Sequence, residues 1–510
     1  MTTVKLMKKF INQSDLIKIR KKFRRKIITL CHGTFDLMHM GHIKHMQNAK
    51  SDSDILVVSI TADKFVNKGP GRPVFTEKLR AESIAALECV DYIYIANSKT
   101  AIETINDLQP DFYAKGNDYS NESEDITGNI SKEIQAVKNH GGKIKYTNEI
   151  TFSSSSLLNE YFSYYSDDVK HFVDQFKKKY TLDNLFKAIN SLNDLNVLVI
   201  GDAIIDEYIY VHPLGQTGKG NIPSVKFESS EKFAGGAIAV ANHVSNFVKN
   251  VDVVSVIGSN KQDEKFLKSK SEKNVKLYLS NLFDKTLTKS RYIDSDFNRY
   301  FEVYSSDELL DLDKSKTIEI ENFLSKNISK YDAVIVPDFG NGFINNSIID
   351  IITTKSSFLA VNTQINSGNR GYHAITRYGK TNFISLNEPE ARLAAHDRSS
   401  SIESIASTVV TNMTKSDFIS ITRGKLGVLN YYKRKKSFFN IPSLAPKVID
   451  RIGAGDAYLS LASILLANKN SIEISSFIGS VAAAIDVQIV CNSKSINKTD
   501  LMKFITTLYK

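Results

Sequence analysis

The sequence predicts an α/β protein with two domains. Short, continuous apolar runs with the composition of buried strands alternate with amphipathic segments of helical periodicity, a pattern typical of a parallel sheet covered by helices on both faces. A chain of 510 residues is also too long to fold around a single hydrophobic core. Glycine-containing motifs follow predicted strands in both halves, and ligands of such folds bind at the carboxyl ends of strands. We therefore expect one functional site in each domain.

The overall composition is that of an ordinary soluble protein, with 42% hydrophobic and 24% charged residues. No apolar run is as long as a membrane-spanning helix and no signal peptide opens the sequence, so we expect no membrane partner. Cys31, Cys89 and Cys491 are scattered within apolar stretches, which favours reduced core thiols in a cytoplasmic protein.

A basic N-terminal segment, residues 1–26, carries much of the net charge of +10. Between Lys5 and Lys26 it holds ten Lys or Arg residues and one acidic residue, Asp15. Such a segment could bind a polyanion or a membrane surface. We favour a solvated helix packed on the first domain, because no aromatic stacking pattern accompanies the charge. Nucleic acid is therefore not an expected partner.

The first motif follows a predicted buried strand at residues 27–31 and leads into a helical pattern. Gly33 and Gly41 allow close approach of an anion, and the helix N-terminus offers unpaired N–H groups. His39 and His42 can donate hydrogen bonds to phosphoryl oxygens. Two other interpretations are satisfied core histidines and a zinc site that includes His45, although no nearby cysteine or carboxylate completes a tetrahedral set.

The rest of the first domain, residues 27–161, continues the alternation. Strands are predicted at residues 55–60 and 92–95, with an edge-like strand at 143–146 and an amphipathic helix at 77–87. Three further pieces are a turn-rich cationic loop at 68–73, a segment at 110–119 and a serine cluster at 151–156 that precedes a helical pattern. Taken singly, each of these three segments could be an exposed segment without a functional role.

The motif consists of Gly33-Thr34-Phe35-Asp36 followed by His39-Met40-Gly41-His42. It resembles the signature motif of the cytidylyltransferase-like nucleotidyltransferases. Together with the three later pieces it resembles the adenylyltransferase half of the bifunctional heptose kinase/adenylyltransferases of lipopolysaccharide synthesis. The resemblance implies a Rossmann-like fold. It also implies a reaction in which a sugar-phosphate oxygen attacks the α-phosphorus of a nucleoside triphosphate and pyrophosphate leaves. The two histidines would contact the nucleotide phosphates and stabilise the transition state. The nucleotide-binding candidates are Gly33, Thr34, Phe35, Lys44, Lys68, Arg72, Lys115, Ser154 and Ser155.

Residues 162–194 form a polar segment with helical periodicity that neither Pro nor Gly interrupts. We interpret it as a helical linker rather than a flexible tether.

The second half, residues 195–510, opens with a predicted strand at 196–200 and a turn carrying Asp202 and Asp206. Carboxylates at the end of a buried strand can hold sugar hydroxyls. Near the C-terminus, Gly453 and Gly455 precede a helical run at 457–467, so their backbone N–H groups can form an anion hole. Asp456 lies next to this anion hole, where its carboxylate can accept a hydroxyl proton during γ-phosphoryl transfer.

These motifs, with a GG pair, an NxxE and a TRG in the same order, resemble the ribokinase-like (PfkB) carbohydrate kinases. The resemblance implies that Asp456 is the base and that Asn387 and Glu390 organise Mg²⁺ through water. Further implied nucleotide-binding residues are Thr422, Gly424, Gly453, Ala454 and Gly455, and the substrate-binding candidates are Asp202, Asp206, Gly235, Gly236, Lys289 and Arg291.

Three departures from the family pattern leave the sugar open: residues 214–223, residues 361–364, and Arg451-Ile452 after Asp450. The nucleotidyltransferase-like half also comes first, the reverse of the usual order. A basic strand end, formed by Thr288, Lys289 and Arg291, could bind a phosphate group that the substrate already carries.

The resemblances together imply a cytoplasmic bifunctional enzyme. Its kinase half would phosphorylate a sugar or sugar phosphate with ATP, and its nucleotidyltransferase half would use ATP or CTP to make an activated, heptose-like NDP-sugar for surface glycan synthesis. Mg²⁺ is expected at both sites, and homo-oligomers are possible. The alternatives are the same activities on another sugar or polyol with CTP, and a nucleotide- or polyanion-binding protein with one vestigial half.

Overall fold

The computed structural model describes residues 8–66, 73–116, 129–147, 165–218, 220–306, 314–369 and 371–509. The chain divides into two compact units. The first comprises Met1–Ser166 with Met502–Lys510, and the second comprises Asp167–Leu501. Both units are α/β, as predicted.

The first unit contains a six-stranded, all-parallel sheet in the order β1-β4-β3-β2-β5-β6. Its strands are β1 (Phe10–Ile11), β2 (Ile28–Gly33), β3 (Ile55–Thr61), β4 (Tyr92–Ala96), β5 (Phe112–Gly116) and β6 (Lys143–Thr147). Its helices are α1 (Gln13–Lys22), α2 (Met40–Ser51), α3 (Glu77–Ala85), α4 (Ile102–Leu108) and α5 (Ile130–Asn139).

The strand order reverses direction between β2 and β5, so the carboxyl ends of these two neighbours border a crevice. Apolar side chains cover both faces of the sheet. Met46 of α2 belongs to the core on one face, and Leu16 of α1 and Val137 of α5 belong to the core on the other. This two-sided burial explains why β3, buried along its whole length, has no polar alternation in the sequence.

From residue 8 onward, the basic N-terminal segment is part of the folded first unit. Asn12 caps α1 through a capping box, and Leu16 and Ile19 are buried. Arg20 forms a two-point ion pair with Asp111 at 2.9 and 3.0 Å. The helix packed on the first domain is thus present, and it is accompanied by an edge strand, β1, that the sequence pattern did not predict.

The segment predicted as a helical linker forms two helices from residue 167 onward, α6 (Asp167–Lys179) and α7 (Leu182–Asn190). Both belong to the second unit. Phe176 stacks on Phe477 with ring centroids 4.5 Å apart, and Lys179 pairs with Glu473 at 3.2 Å. From residue 167 the segment is helical and packs on the second unit.

The second unit contains a nine-stranded sheet in the order β11-β10-β7-β14-β15-β16-β17-β18-β19 and a four-stranded sheet in the order β13-β12-β8-β9. The large sheet is parallel from β11 to β17 and ends in two antiparallel pairs. Its strands are β7 (Asn196–Ile200), β10 (Asn250–Ile257), β11 (Val275–Asn281), β14 (Ala333–Asp338), β15 (Leu359–Thr363), β16 (Phe383–Asn387), β17 (Phe418–Thr422), β18 (Val428–Tyr432) and β19 (Ser437–Ile441).

The small sheet is built from β8 (Ala203–Gln216), β9 (Pro223–Gly236), β12 (Thr288–Ile293) and β13 (Arg299–Ser305). The remaining helices are α8 (Ala237–Ser245), α9 (Lys261–Ser269), α10 (Lys314–Asn327), α11 (Asn346–Lys355), α12 (Glu388–Ala395), α13 (Ala454–Ala467), α14 (Ile472–Asp486) and α15 (Lys498–Tyr509), with a π-helical stretch at Ile405–Val410. Within the described ranges no helix combines the length and apolarity that a membrane crossing requires.

Candidate active sites

The two motif histidines of the first unit meet at the start of α2. His39 is the N-cap residue, and its Nδ1 accepts a hydrogen bond from the backbone N–H of Gly41 at 3.1 Å. The His39 and His42 rings lie 3.9 Å apart between centroids, and Phe35 contacts His42 edge-on at 5.5 Å. Two imidazoles therefore lie side by side at the positive end of a helix dipole, an arrangement suited to phosphate oxygens.

The turn between β2 and α2 is tightly built. Phe35 adopts a positive φ of 49°, and a Cβ on Gly33 would lie 3.1 Å from the Phe35 ring. Thr34 is buried next to them. A side chain at position 33 would therefore require the Phe35 ring to shift by a few tenths of an ångström.

Arg80, which sequence reasoning did not single out, and Asp36, a motif residue to which it gave no role of its own, hold this turn in place. The buried Arg80 guanidinium donates to the carbonyl of Thr34, to those of Thr61 and Phe75 at 2.8 and 3.0 Å, and to the Asp63 carboxylate at 2.6 Å. Asp36 accepts from the backbone N–H groups of Val74 and Phe75. These contacts fix the residues that follow the cationic loop. Lys68 and Arg72 of that loop, and Ser154 and Ser155 of the serine cluster, lie outside the described residues.

The other two predicted cations of this unit are in different environments. Lys44 is exposed on α2. Lys115, near the carboxyl end of β5, forms a largely buried ion pair with Glu133 of α5 at 3.3 Å. Burial opposes ionisation of Glu133, but Lys115 and the N–H of Ala101 outweigh it and lower the pKa of this carboxyl. Lys115 shares a strand face with Tyr113, which packs on the side of α1 and α5, so it lies on the face opposite α2.

The second unit brings its predicted substrate residues together at the start of β8. Asp202 is buried and accepts a hydrogen bond from Asn341 at 3.1 Å. Burial and the nearby Asp338 raise the pKa of Asp202 to about 6. A Cβ on Gly235 would lie 2.0 Å from Asp206 Oδ2, and one on Gly236 would lie 2.2 Å from the Asp202 carbonyl oxygen. The GG pair therefore allows β9 to lie close to the Asp206 carboxylate and to the backbone of Asp202.

The two predicted cations of β12 differ in how they are paired. Arg291 binds Asp206 and also Glu302, the latter at 3.0 Å. Lys289 is buried, and this burial lowers its pKa although carboxylates face it. Arg291 is thus neutralised by two carboxylates, whereas Lys289 is the cation that acts electrostatically on Asp202, Asp206 and Asp456.

Asp456 lies in the first turn of α13, directly after the predicted anion hole. Gly453 caps the helix with a φ of +98°, and Ala454 and Gly455 follow as the first helical residues. Burial raises the pKa of Asp456 to about 7, with further contributions from Asp206 and Glu390, while Lys289 lowers it. A carboxyl that titrates near neutral pH at a helix N-terminus is suited to accept a hydroxyl proton.

Asn387 and Glu390 form the capping box of α12. The Asn387 side chain accepts from the Glu390 N–H at 2.8 Å, and Glu390 Oε2 accepts from the Asn387 N–H at 2.7 Å. Glu390 Oε1 accepts from the N–H of Ile365 at 3.3 Å, and burial raises the pKa of Glu390 to about 7. In the described part of the chain no three His, Cys, Asp or Glu residues are grouped to hold a metal directly.

Sequence reasoning missed a polar cluster at the end of β14. Asp338 accepts a hydrogen bond from Tyr378 at 2.5 Å and contacts His373. Asn341 follows in the same loop and reaches Asp202. Asp338 ends an apolar run, 333–337, in the same way that Asp202 follows an apolar run at the end of β7. This shared pattern, an aspartate at the end of an apolar strand, is the sequence feature that could have identified Asp338 as a candidate site residue.

Two protein families match the chain. A model described as pfkB family carbohydrate kinase matches residues 194–495. A model described as Cytidylyltransferase-like matches residues 30–160. The predicted order, a nucleotidyltransferase-like domain followed by a PfkB domain, is confirmed, and with it the prediction of an enzyme that carries both transferase domains.

Curated relatives match the N-terminal part of the chain. Bifunctional protein HldE of Syntrophotalea carbinolica is 32% identical over 148 residues, which is 29% of each chain. The protein of the same name from Citrifermentans bemidjiense is 36% identical over 143 residues, 28% of each chain. The chain thus spans less than a third of the length of these relatives.

Solved structures also align with the chain. Arabidopsis thaliana ribokinase complexed with ribose and ATP aligns with a TM-score of 0.47 and 14% identity, covering 62% of this chain and 99% of that one. The tetrameric inhibited form of phosphofructokinase-2 from Escherichia coli aligns with a TM-score of 0.49 and 14% identity, covering 62% and 100%.

Proposed function

We propose, from the premise that the chain belongs to the pfkB family of carbohydrate kinases, that its second unit transfers the γ-phosphoryl group of ATP to a hydroxyl of a sugar or sugar phosphate. The observation that carries this proposal is Asp456, a carboxyl with a pKa of about 7 in the first turn of α13. Lys289 and the Asp202–Asn341 pair supply a cation and hydrogen-bonding groups for a polyhydroxylated substrate.

In this reaction the substrate hydroxyl oxygen forms a bond to the γ-phosphorus, and the bond from that phosphorus to the β–γ bridging oxygen breaks. Asp456 takes the hydroxyl proton, and ADP leaves with the bridging oxygen. Backbone N–H groups at Gly453, Ala454 and Gly455 stabilise the charge on the transferred phosphoryl group. A nucleotide-bound Mg²⁺ would neutralise phosphate charge, and Asn387 and Glu390 would hold it through water.

We propose that the first unit is a nucleotidyltransferase. A sugar-phosphate oxygen attacks the α-phosphorus of a nucleoside triphosphate, the bond to the bridging oxygen of the β-phosphate breaks, and pyrophosphate leaves. The adjacent rings of His39 and His42 at the α2 N-terminus support this role, since they can donate to the phosphate oxygens while charge develops there. The match of residues 30–160 to cytidylyltransferase-like proteins supports the same reaction class.

For the substrate we propose a heptose-like sugar phosphate and an NDP-sugar product for surface glycans, made in the cytoplasm with ATP or CTP. Support comes from the motifs of the first unit and from its 32–36% identity to proteins named bifunctional HldE. The second candidate is another sugar or a polyol, with CTP as the nucleotide. Residues 214–223 of the second unit depart from the family pattern, and this departure supports the second candidate.

A mass-spectrometric product screen tests both proposals. The full chain is incubated with Mg²⁺, with ATP or CTP separately, and with a panel of sugars, sugar phosphates and sugar 1-phosphates. We expect one added phosphate on heptose 7-phosphate and a nucleotide-linked heptose from heptose 1-phosphate. Turnover of another sugar would overturn the heptose assignment alone. Absence of both products on the whole panel, with folded protein, would overturn the enzyme assignment and favour a binding role.

A further inference from the structure

A cavity of about 970 Å³ opens at the carboxyl ends of β16 and β17 in the second unit. Thr422, Gly424 and Asn387, three residues expected near the nucleotide or its metal, line one part of it. The remainder includes three arginines, Arg392, Arg398 and Arg423. Positive charge is therefore concentrated where a phosphate chain would enter, and these arginines were not among the sequence-predicted site residues.

The three arginines are held differently. Arg392 donates its Nε and Nη2 to Glu388 Oε1 at 2.9 and 2.8 Å, and its Nη1 to the Ser400 carbonyl at 3.0 Å. Its donors are thus largely used within the protein. Arg398 is exposed at the rim. Neither has the combination of fixed orientation and available donors that anion recognition requires.

Arg423 has both properties. Its backbone N–H donates to the Gly427 carbonyl at 2.8 Å, and its Nε donates to Glu388 Oε2 at 3.1 Å. Across the described part of the chain, neither of its Nη atoms has a hydrogen-bond partner. Glu388 in turn stays ionised: burial opposes this, but the two arginines lower its pKa. One edge of the guanidinium is therefore fixed by a carboxylate, and its outer donors remain for a ligand.

We propose that Arg423 binds the phosphate chain of the nucleoside triphosphate in the kinase site, and that Glu388 is the positioning residue that orients it. This inference rests on the proposed kinase function and adds a binding residue to it. A planar guanidinium presents two parallel N–H groups to two phosphate oxygens, a geometry that an ammonium cannot reproduce. Because the contact is with phosphate alone, it strengthens binding of a triphosphate and leaves binding of the nucleoside unchanged.

Hydrogen–deuterium exchange of the full chain with Mg²⁺ and the non-hydrolysable analogue AMP-PNP gives a local readout. Peptides from residues 383–398 and 418–428 report on the cavity, while peptides from residues 28–51 report on the first unit in the same sample. The variants are Arg423→Met, Arg423→Lys and Glu388→Gln. The matched control is Arg434→Met, since Arg434 also binds a carboxylate through Nε, that of Asp417 at 3.1 Å, but lies outside the cavity.

We expect Arg423→Met to raise the AMP-PNP concentration for half-maximal protection of the cavity peptides by about tenfold or more, the usual size of a charge-assisted hydrogen-bond loss. Arg423→Lys and Glu388→Gln should give smaller increases, and Arg434→Met should remain within about twofold of the unmodified protein. Adenosine should show no dependence on residue 423.

Equal protection curves for Arg423→Met and the unmodified protein would overturn the proposal. So would a lack of protection of the cavity peptides in the unmodified protein. The product screen with the unmodified protein tests the kinase function separately: if sugar phosphorylation is present while residue 423 has no effect on nucleotide binding, only the Arg423 assignment falls.

Discussion

At the scale of single residues, the chemistry of the second unit depends on how buried charges act on one carboxyl. Burial, Asp206 and Glu390 raise the pKa of Asp456, whereas Lys289 lowers it, and the result is a pKa of about 7. An acid with this pKa is partly ionised at neutral pH, which is the state needed to accept a proton. The pH profile of the kinase should therefore report on this balance.

We predict that kcat/KM for sugar phosphorylation falls as the pH drops below about 7, because protonated Asp456 cannot act as a base. Lys289→Met removes the charge that lowers the pKa of Asp456 and should move this acid limb to higher pH, in addition to any loss of rate. The pH dependence of both proteins between about pH 5 and 9 measures the effect. An acid limb that stays in place, or moves to lower pH, would contradict the assignment of Asp456 as the titrating base.

Asp486 provides a stability test at the same scale. It is fully buried at the end of α14, and neither carboxylate oxygen has a hydrogen-bond partner within the described residues. Burial raises its pKa well above the usual value, and Asp456 and Asp450 add to the effect. His243 lies 3.8 Å away, and burial lowers the pKa of this histidine to about 4.

A carboxyl whose pKa is raised in the folded state binds its proton more tightly there than in the unfolded chain. Stability is then lost as the pH rises above the unfolded pKa of about 4. We predict that Asp486→Asn, which keeps the shape and cannot ionise, raises the unfolding temperature at about pH 8 by about 1–2 °C, and less at about pH 5. Thermal unfolding at the two pH values measures this. An unfolding temperature of Asp486→Asn below that of the unmodified protein at the higher pH would show instead that the carboxylate is ionised and paired with a cation.

At the scale of elements, Arg80 joins three pieces of the first unit. One guanidinium binds the turn after β2, the end of β3 and Phe75, just beyond the cationic loop. Arg80→Met would leave the buried carbonyls of Thr34 and Thr61, the Phe75 carbonyl and the Asp63 carboxylate without this partner. We therefore predict a loss of about 3 kcal/mol in the stability of the first unit and a loss of nucleotidyl transfer.

Sugar phosphorylation should remain within about twofold in Arg80→Met, because the second unit has its own core. Lys78→Met, at an exposed position of the same helix, is the matched control and should leave both activities unchanged. Denaturant unfolding and separate assays of the two reactions measure these effects. Full nucleotidyl transfer by Arg80→Met would show that the turn does not depend on this contact.

The small sheet has a corresponding test at Gly235. An alanine Cβ there would lie 2.0 Å from Asp206 Oδ2, so β9 or the Asp206–Arg291 pair must move. We predict that Gly235→Ala lowers sugar phosphorylation by about tenfold or more. Gly218→Ala is the control, because it lies in the connection between β8 and β9, where a Cβ meets nothing within 4 Å. Equal kinase rates for the two variants would contradict the role given to this close approach.

Most strands that the sequence predicted have continuous apolar runs. Examples are β3, β4 and β7, and the edge-like β6, in which lysines alternate with apolar residues, was also predicted; all four lie within one residue of the expected limits. Elements without a continuous apolar run along their length were not predicted: β1 has two residues, and β8 and β9 each contain a long exposed stretch. The contacts of Arg80, and the ion pair of Lys115 with Glu133, join residues far apart in the chain, so no local pattern reveals them.

The candidate sites were predictable to a similar extent. His39 with His42, and Asp456 with Gly453, are neighbours in sequence, and a motif and its spacing suffice to bring them together. Asn341, Asp338 and Arg423 act through partners on other strands and loops. Their importance becomes visible only when the parallel strands are aligned and their carboxyl ends meet.

At the scale of the whole molecule, one chain carries two transferase domains with separate cores and separate chemistry. The groups proposed to act on phosphate in the first unit are histidines at a helix N-terminus, and the base proposed in the second unit is a carboxyl beside a glycine-rich helix N-terminus. The residues proposed for the two reactions belong to different units. The two activities should therefore be lost one at a time.

The most direct test measures both products for two single variants of the full chain. We predict that Asp456→Asn lowers sugar phosphorylation by at least about 100-fold and leaves nucleotidyl transfer within about twofold, and that His42→Ala does the reverse. Each variant removes a group that we propose acts in one of the two reactions, and each serves as the folding control for the other. Loss of both activities in either variant, or retention of both in Asp456→Asn, would contradict the account of two independent active sites.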